Sequence, residues 1–365
     1  MRTYTFMYLA GLTIILLRNI AKAQVAQHST PALFVFGDSL VDPGNNNYIP
    51  SLSRANILPN GIDFPAGPTG RFCNGRTVVD AVCELSGFPF LPAYFDPSTK
   101  GTNILKGVNY ASGAGGILDR SGANYVARIS LSRQIDYFQN TITSLQQQLG
   151  DDGAATFVSK SLYAIIIGNN DYINNYLLPF NNQTRAEFSP QAYQELLLSS
   201  FSRQLQRLYN LGVRKFALSN IGPLGCIPSQ ISVHNSDGTC VEFINAYIRN
   251  YNAGLKSLVN QLNSDFPDAK FIYANAYDNV MNVVNDPAAQ GFKVVNRGCC
   301  GAGRFNGQVP CIPIPSVTYC SDRNDYLFWD PYHPTDAFNV MLAQKFFSGG
   351  QDDVNPINLQ QLLQL

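Results

Sequence analysis

Charge is scarce in this chain. Asp, Glu, Lys and Arg make up 14% of its 365 residues, well below the roughly 25% of an average soluble protein. The 25 basic side chains balance 25 acidic ones. No block of Lys and Arg could neutralise a row of phosphates, which argues against nucleic acid as a partner. Long apolar runs are also missing. The longest, Phe6 to Leu17, has twelve residues, too few for the ~20 that cross a bilayer, so no stable membrane anchor is expected. Histidine is limited to three positions, and neither Cys-x-x-Cys pairs nor clustered histidines offer the spacing of a zinc site.

What is present begins with an export signal. Arg2, the Phe6 to Leu17 run and the small-x-small sequence Ala21-Lys22-Ala23 together predict a signal peptide over residues 1–23, cleaved to leave a secreted chain starting at Gln24. Eight cysteines follow, and an even number in an exported chain predicts disulfides. Their local grouping suggests Cys73 with Cys83 and Cys226 with Cys240. Cys299 and Cys300 are then left for Cys311 and Cys320 in an order that spacing does not fix. Asn182-Gln183-Thr184 is a sequon in a polar loop, making Asn182 a candidate glycosylation site. With no break in composition, residues 24–350 are expected to form one domain. The Gln-rich end, residues 351–365, is expected to be a loosely docked tail.

Four apolar runs, Ala32 to Phe36, Leu162 to Ile167, Val213 to Leu218 and Ala269 to Tyr273, have the length and boundaries of buried strands. Between them, Tyr193, Leu197, Phe201, Leu205 and Leu208 recur at helical spacing, as do Ile244, Ile248, Tyr251, Leu255, Leu258 and Leu262. Strands alternating with helices predict an α/β protein with a parallel sheet covered on both faces. Two stretches rich in Gly, Pro and Asn, residues 42–76 and 291–325, are expected on the side where the strands' carboxyl ends open to ligand.

Ser39, in Gly37-Asp38-Ser39-Leu40, follows the first strand, where a sharp turn would lift its hydroxyl above the sheet edge. A nucleophilic serine needs a base, an orienting acid and oxyanion donors. His28 falls in the N-terminal tail and His234 in a loop. His333, in Trp329-Asp330-Pro331-Tyr332-His333-Pro334, stands three residues after a carboxylate on a backbone stiffened by two prolines. Asp330 could therefore hold Nδ1 and leave Nε2 for Ser39. Gly113, in a Gly-rich turn, and Asn170, directly after the second strand, are candidate oxyanion donors. Asp38 and Asp171 read as turn or cap residues, Arg71, Arg76 and Arg323 as loop ties to carboxylates, and Trp329 as core.

As a set these residues resemble the GDSL esterase and lipase family, the plant branch of the SGNH hydrolases. The resemblance rests on Phe34-Val-Phe-Gly-Asp-Ser-Leu-Val-Asp42, Asn109-Tyr-Ala-Ser-Gly113, Gly168-Asn-Asn-Asp171, Arg297-Gly-Cys-Cys-Gly301 and Phe328-Trp-Asp-Pro-Tyr-His-Pro334, and it spans nearly all the chain after the signal. It implies a flavodoxin-like three-layer α/β/α sandwich around a mostly parallel five-stranded sheet. For the site it implies a triad of Ser39, Asp330 and His333 with oxyanion donors Ser39, Gly113 and Asn170, at work in the cell wall or apoplast.

Hydrolysis of carboxylic esters through an acyl-enzyme follows, with a lipid or small-molecule ester as substrate and no metal or organic cofactor. Because the base must be neutral, activity is expected to rise through roughly pH 6 to 7. Acyl transfer to a lipid or cuticle hydroxyl, deacetylation of a carbohydrate and a non-catalytic wall-binding role are the competing readings. Composition and spacing leave chain length, alcohol and oligomeric state open.

Overall fold

The computed structural model describes residues 29–179, 183–235 and 237–365. The expected signal peptide (1–23), His28 and the sequon Asn182 lie outside the described residues.

Five parallel strands form the centre: β1 (Leu33–Gly37), β2 (Gly107–Asn109), β3 (Leu162–Ile166), β4 (Lys215–Ser219) and β5 (Lys270–Ala274). A sixth, β6 (Val354–Asn355), adds antiparallel to β5, giving the order β6-β5-β4-β3-β1-β2. Every residue of β1 and β4 is buried, which is why these strands read as continuous apolar runs rather than alternating ones.

Register places Phe34, Tyr163, Phe216 and Phe271 side by side across β1, β3, β4 and β5. Phe34 stacks on Tyr163, Phe216 stacks on Phe271, and Phe138 of helix α2 (Leu131–Lys160) packs against the row. Helices α3 (Pro190–Asn210) and α4 (Glu242–Asp265) complete this layer. Neighbouring residues of a strand point to opposite faces, so the other face presents Ala164, Ala217 and Ile272 at the next register position. It is covered by α1 (Val78–Ser86) and by α6 (Asp336–Ser348), which pack extensively against one another. Helix α5 (Ala276–Asn285) follows β5, and α7 (Leu359–Gln364) packs on α6. The result is the expected three-layer α/β/α sandwich.

The carboxyl-terminal residues are not a loose tail. They carry β6 and α7, with Leu359, Leu362 and Leu363 buried. Glutamine enrichment marks only the exposed side of α7, where Gln361 closes a capping box on Asn358.

Disulfides join Cys226 to Cys240, Cys299 to Cys320 and Cys300 to Cys311. The expected Cys73–Cys83 bridge is absent, and both are buried thiols. The Thr77–Asp80 capping box starts α1 between them and carries Cys83 into the core, while Cys73 accepts the Gly75 amide and lies against Asn339. Proximity in sequence therefore did not become a bond.

Candidate active site

The chain leaves β1 at Gly37, where a Cβ would come within 2.6 Å of the Ile166 carbonyl oxygen on β3. Only glycine allows so close an approach. Gln134 of α2 clamps the same residue, accepting from the Gly37 amide at 2.9 Å and donating to its carbonyl at 2.8 Å. Asp38 then turns the chain by accepting from the Leu40 amide (3.0 Å) and the Asn169 side chain (2.9 Å). Burial pushes its carboxyl up to about 6 against the pull of those hydrogen bonds. Ser39, next in line, is partly exposed and faces a pocket with Ala114, Tyr125, Asn170, Tyr332 and His333 in its wall.

Ser39 Oγ lies 2.8 Å from His333 Nε2. On the far side of the ring, Nδ1 lies 2.8 Å from Asp330 Oδ2 and 2.9 Å from Oδ1. Asp330 also accepts from the Tyr332 and His333 amides, each at 2.8 Å, so one carboxylate folds the turn and fixes the imidazole within it. With Nδ1–H directed to Asp330, Nε2 is the acceptor for the Ser39 hydroxyl. Asp330 and His333 are 4% and 8% exposed, which strengthens these interactions by excluding water. Phe72 covers the imidazole, with ring centroids 5.1 Å apart.

Beneath this turn lies a second, small core of Cys299, Cys300, Cys311 and Trp329. The Cys300 amide donates to the Trp329 carbonyl, and the Trp329 indole donates to Asn60 at 2.9 Å. Residues 291–325, expected on the ligand side, contribute nothing to the pocket wall. They support the Asp330–His333 turn from behind. Of residues 42–76, Ser53 reaches the pocket.

Two of the three expected oxyanion donors face the pocket. Asn170, at the carboxyl end of β3, gives one amide hydrogen to the Gly115 carbonyl (2.9 Å), and its Oδ1 accepts from Asn174 in a π-helical turn (2.6 Å). An amide nitrogen has two hydrogens, so one is left for a ligand. The Ser39 amide makes no hydrogen bond among the described residues. Gly113 is the exception. Its amide donates to Asp42 Oδ2 at 2.9 Å, and its carbonyl accepts from Asn46.

The pocket-lining residue is the next one, Ala114, in a left-handed conformation (φ 66°) and with its amide unpaired among the described residues. Sequence reasoning took Gly113 of this Gly-rich turn as the donor, but the residue at the pocket is the alanine after it. Asp42 was passed over as well. It accepts from the Gly44, Asn45 and Gly113 amides and is pushed up to about 6 by burial. Asp171 plays a similar part, accepting from Ile117, Leu118 and Ser121.

The remaining sequence assignments fall away from the pocket. Arg71 forms a buried bidentate pair with Asp80 at 2.7 Å, Arg76 pairs with Asp336, and Arg323 pairs with Asp63. His234 is exposed. Among the described residues no group of three or more His, Cys, Asp or Glu could hold a metal ion, and no helix is long and apolar enough to cross a membrane.

A family model described as GDSL-like lipase/acylhydrolase matches residues 33–346. Two Arabidopsis thaliana proteins named as GDSL esterase/lipases are similar over nearly their whole length. One is 44% identical, covering 98% of this chain and 95% of the relative. The other is 46% identical, with 95% of each covered. GDSL esterase/lipase 7 of the same plant is 46% identical over 93% of both chains.

Proposed function

The chain belongs to the family of GDSL-like lipases and acylhydrolases and is a carboxylic ester hydrolase, and from that premise we propose that Ser39 is its nucleophile, His333 its general base and Asp330 the acid that orients the base. The observation that carries this is the unbroken Asp330–His333–Ser39 hydrogen-bond chain. His333 Nε2 takes the hydroxyl proton as Ser39 Oγ bonds to the ester carbonyl carbon. The tetrahedral oxyanion is met by the Ser39 amide, the Ala114 amide and the free Asn170 amide hydrogen, donors fixed before the charge develops. Collapse breaks the acyl–oxygen bond, the alcohol leaves with the proton from His333, and water repeats the sequence to free the acid. Ala114 replaces Gly113 in this scheme because the Gly113 amide is already held by Asp42.

The proposal extends to export. Three disulfides in one chain suit an oxidising compartment, consistent with a cleaved signal over residues 1–23, a secreted product and a glycan on Asn182. The extracellular wall space is its proposed site of action.

The test is labelling with a small fluorophosphonate, combined with hydrolysis of p-nitrophenyl esters. Wild-type protein is expected to be modified at Ser39, and Ser39→Ala to lose both labelling and hydrolysis. Hydrolysis that survives the substitution overturns the assignment.

A further inference from the structure

The two faces of the sheet are filled unequally. The Phe34, Tyr163, Phe216 and Phe271 row closes the face under α2. On the other face β4 carries the small residues Ala217 and Ser219, and β5 ends in Ala274. Helices packed over small side chains leave space wherever their own side chains do not reach. That space is a cavity with Ile166 and Ser219 of the sheet, Val280 of α5 and Phe338, Leu342 and Phe346 of α6 in its wall. It shares Leu40, Asn169, Leu224 and Tyr332 with the Ser39 pocket. At its inner end, Val78, Ile166, Ser219 and Phe346 also border a smaller pocket closed by Ala217, Ala274 and Leu359.

No charged side chain lines the cavity. Most of its polar side chains are engaged inside the protein. Asn169 donates to Asp38, Ser219 to the Asn220 carbonyl, Asn220 to Tyr273 and Asn275, and Asn339 to the Arg76 carbonyl. A polar ligand such as a sugar would lose its hydration here and find few partners, the Tyr332 hydroxyl and the second Asn169 amide hydrogen, both at the end shared with the Ser39 pocket, whereas a hydrocarbon chain loses only water.

We propose that this cavity holds the acyl chain of the substrate, so that the enzyme prefers medium-chain acyl esters to acetyl esters. The inference rests on Ser39 as nucleophile. With the acyl carbon at Ser39 and its oxygen toward Ala114 and Asn170, the chain passes between Leu40 and Tyr332 into the cavity. The alcohol is left at the pocket mouth by Ser53 and Tyr125. Leu224, Val280 and Phe346 then set chain length.

The experiment measures kcat/KM for p-nitrophenyl esters from acetate to palmitate on wild type, Val280→Trp, Phe346→Leu and Ser39→Ala. Wild type is expected to favour octanoate over acetate on the order of 10²-fold, since each methylene placed in a hydrophobic pocket multiplies the specificity. Val280→Trp should reduce that ratio at least tenfold by filling the cavity. Phe346→Leu, which widens the passage to the inner pocket, should move the optimum to longer chains. Folding of each variant is checked by circular dichroism. If Val280→Trp does not fold, the wild-type profile and Phe346→Leu decide.

A flat wild-type profile that disappears in Ser39→Ala overturns the cavity assignment and leaves the nucleophile standing. A length preference untouched by Val280→Trp and Phe346→Leu also overturns it. Hydrolysis persisting in Ser39→Ala overturns the nucleophile instead. Presenting the octanoyl chain as a monoglyceride and as a phospholipid checks that the preference follows the acyl chain and not the alcohol, and the preference over the acetyl analogue is expected with both.

Discussion

The serine side and the histidine side of the pocket are held in different ways. Ser39, Ala114 and Asn170 extend from the ends of β1, β2 and β3, so the sheet fixes their spacing. Buried carboxylates (Asp38, Asp42 and Asp171) then gather the amides of the connecting loops. His333 and Asp330 sit on no central strand. Their turn is folded by Asp330 itself and rests on Trp329 and a pair of disulfides. One side draws its order from the main core, and the other needs covalent links because its loop has too small a core of its own.

Four changes would break or sharpen that contrast, in descending size. Asp330→Asn presents an amide hydrogen to Nδ1 and stabilises the wrong imidazole tautomer, so kcat is expected to fall on the order of 10⁴-fold. A steady-state assay checks it, with fluorophosphonate labelling slowed in parallel. Asn170→Ala removes one oxyanion donor from the sheet-borne side and should lower kcat about 10²- to 10³-fold with a nearly unchanged KM. A loss confined to KM would mean that Asn170 binds substrate without favouring the transition state.

Replacing Cys300 and Cys311 together by serine should cost about 2–4 kcal/mol of stability. Calorimetry measures the loss. Activity is expected to decline at temperatures where the central sheet, followed by far-ultraviolet circular dichroism, is still intact. Simultaneous loss of both signals would show that the two sides are one cooperative unit.

The smallest effect concerns pH. Asp38, Asp42 and Asp171 are each pushed from an ordinary 3.8 up to about 6, chiefly by burial. The folded protein therefore holds protons that the unfolded chain has released. Their stabilising contribution is complete below about 3.8 and is lost as pH rises through about 6. His234, whose pKa is lowered by burial and by Arg185, opposes this weakly. The melting temperature should be higher at pH 5 than at pH 7.5. Asp42→Asn should flatten the melting profile.

Much of this site was legible in the chain because its determinants are local. Asp330 and His333 lie three residues apart with a turn between them, and Ser39 follows a buried strand through a glycine that the sheet cannot replace. That Gly113 turns away from the pocket was not legible, because a run of Gly-Ala-Gly-Gly does not reveal which amide points outward. That was decided by Asp42, far away in sequence, taking the Gly113 hydrogen and leaving the one on Ala114. The cysteines divide in the same way. The Cys226–Cys240 bridge closes a short loop and could be inferred, whereas Cys73 and Cys83, on either side of a helix cap, remain unpaired thiols.

The amino-acid sequence alone determined the strands, the α/β class and the catalytic candidates, since apolar periodicity and turn chemistry act over a few residues. Only the tertiary structure decided which sheet face is full and which is hollow. Strands buried on both sides read as uniform apolar runs, and the aromatic row on one face and the small Ser219–Ala274 pair on the other emerge only when register sets the strands side by side.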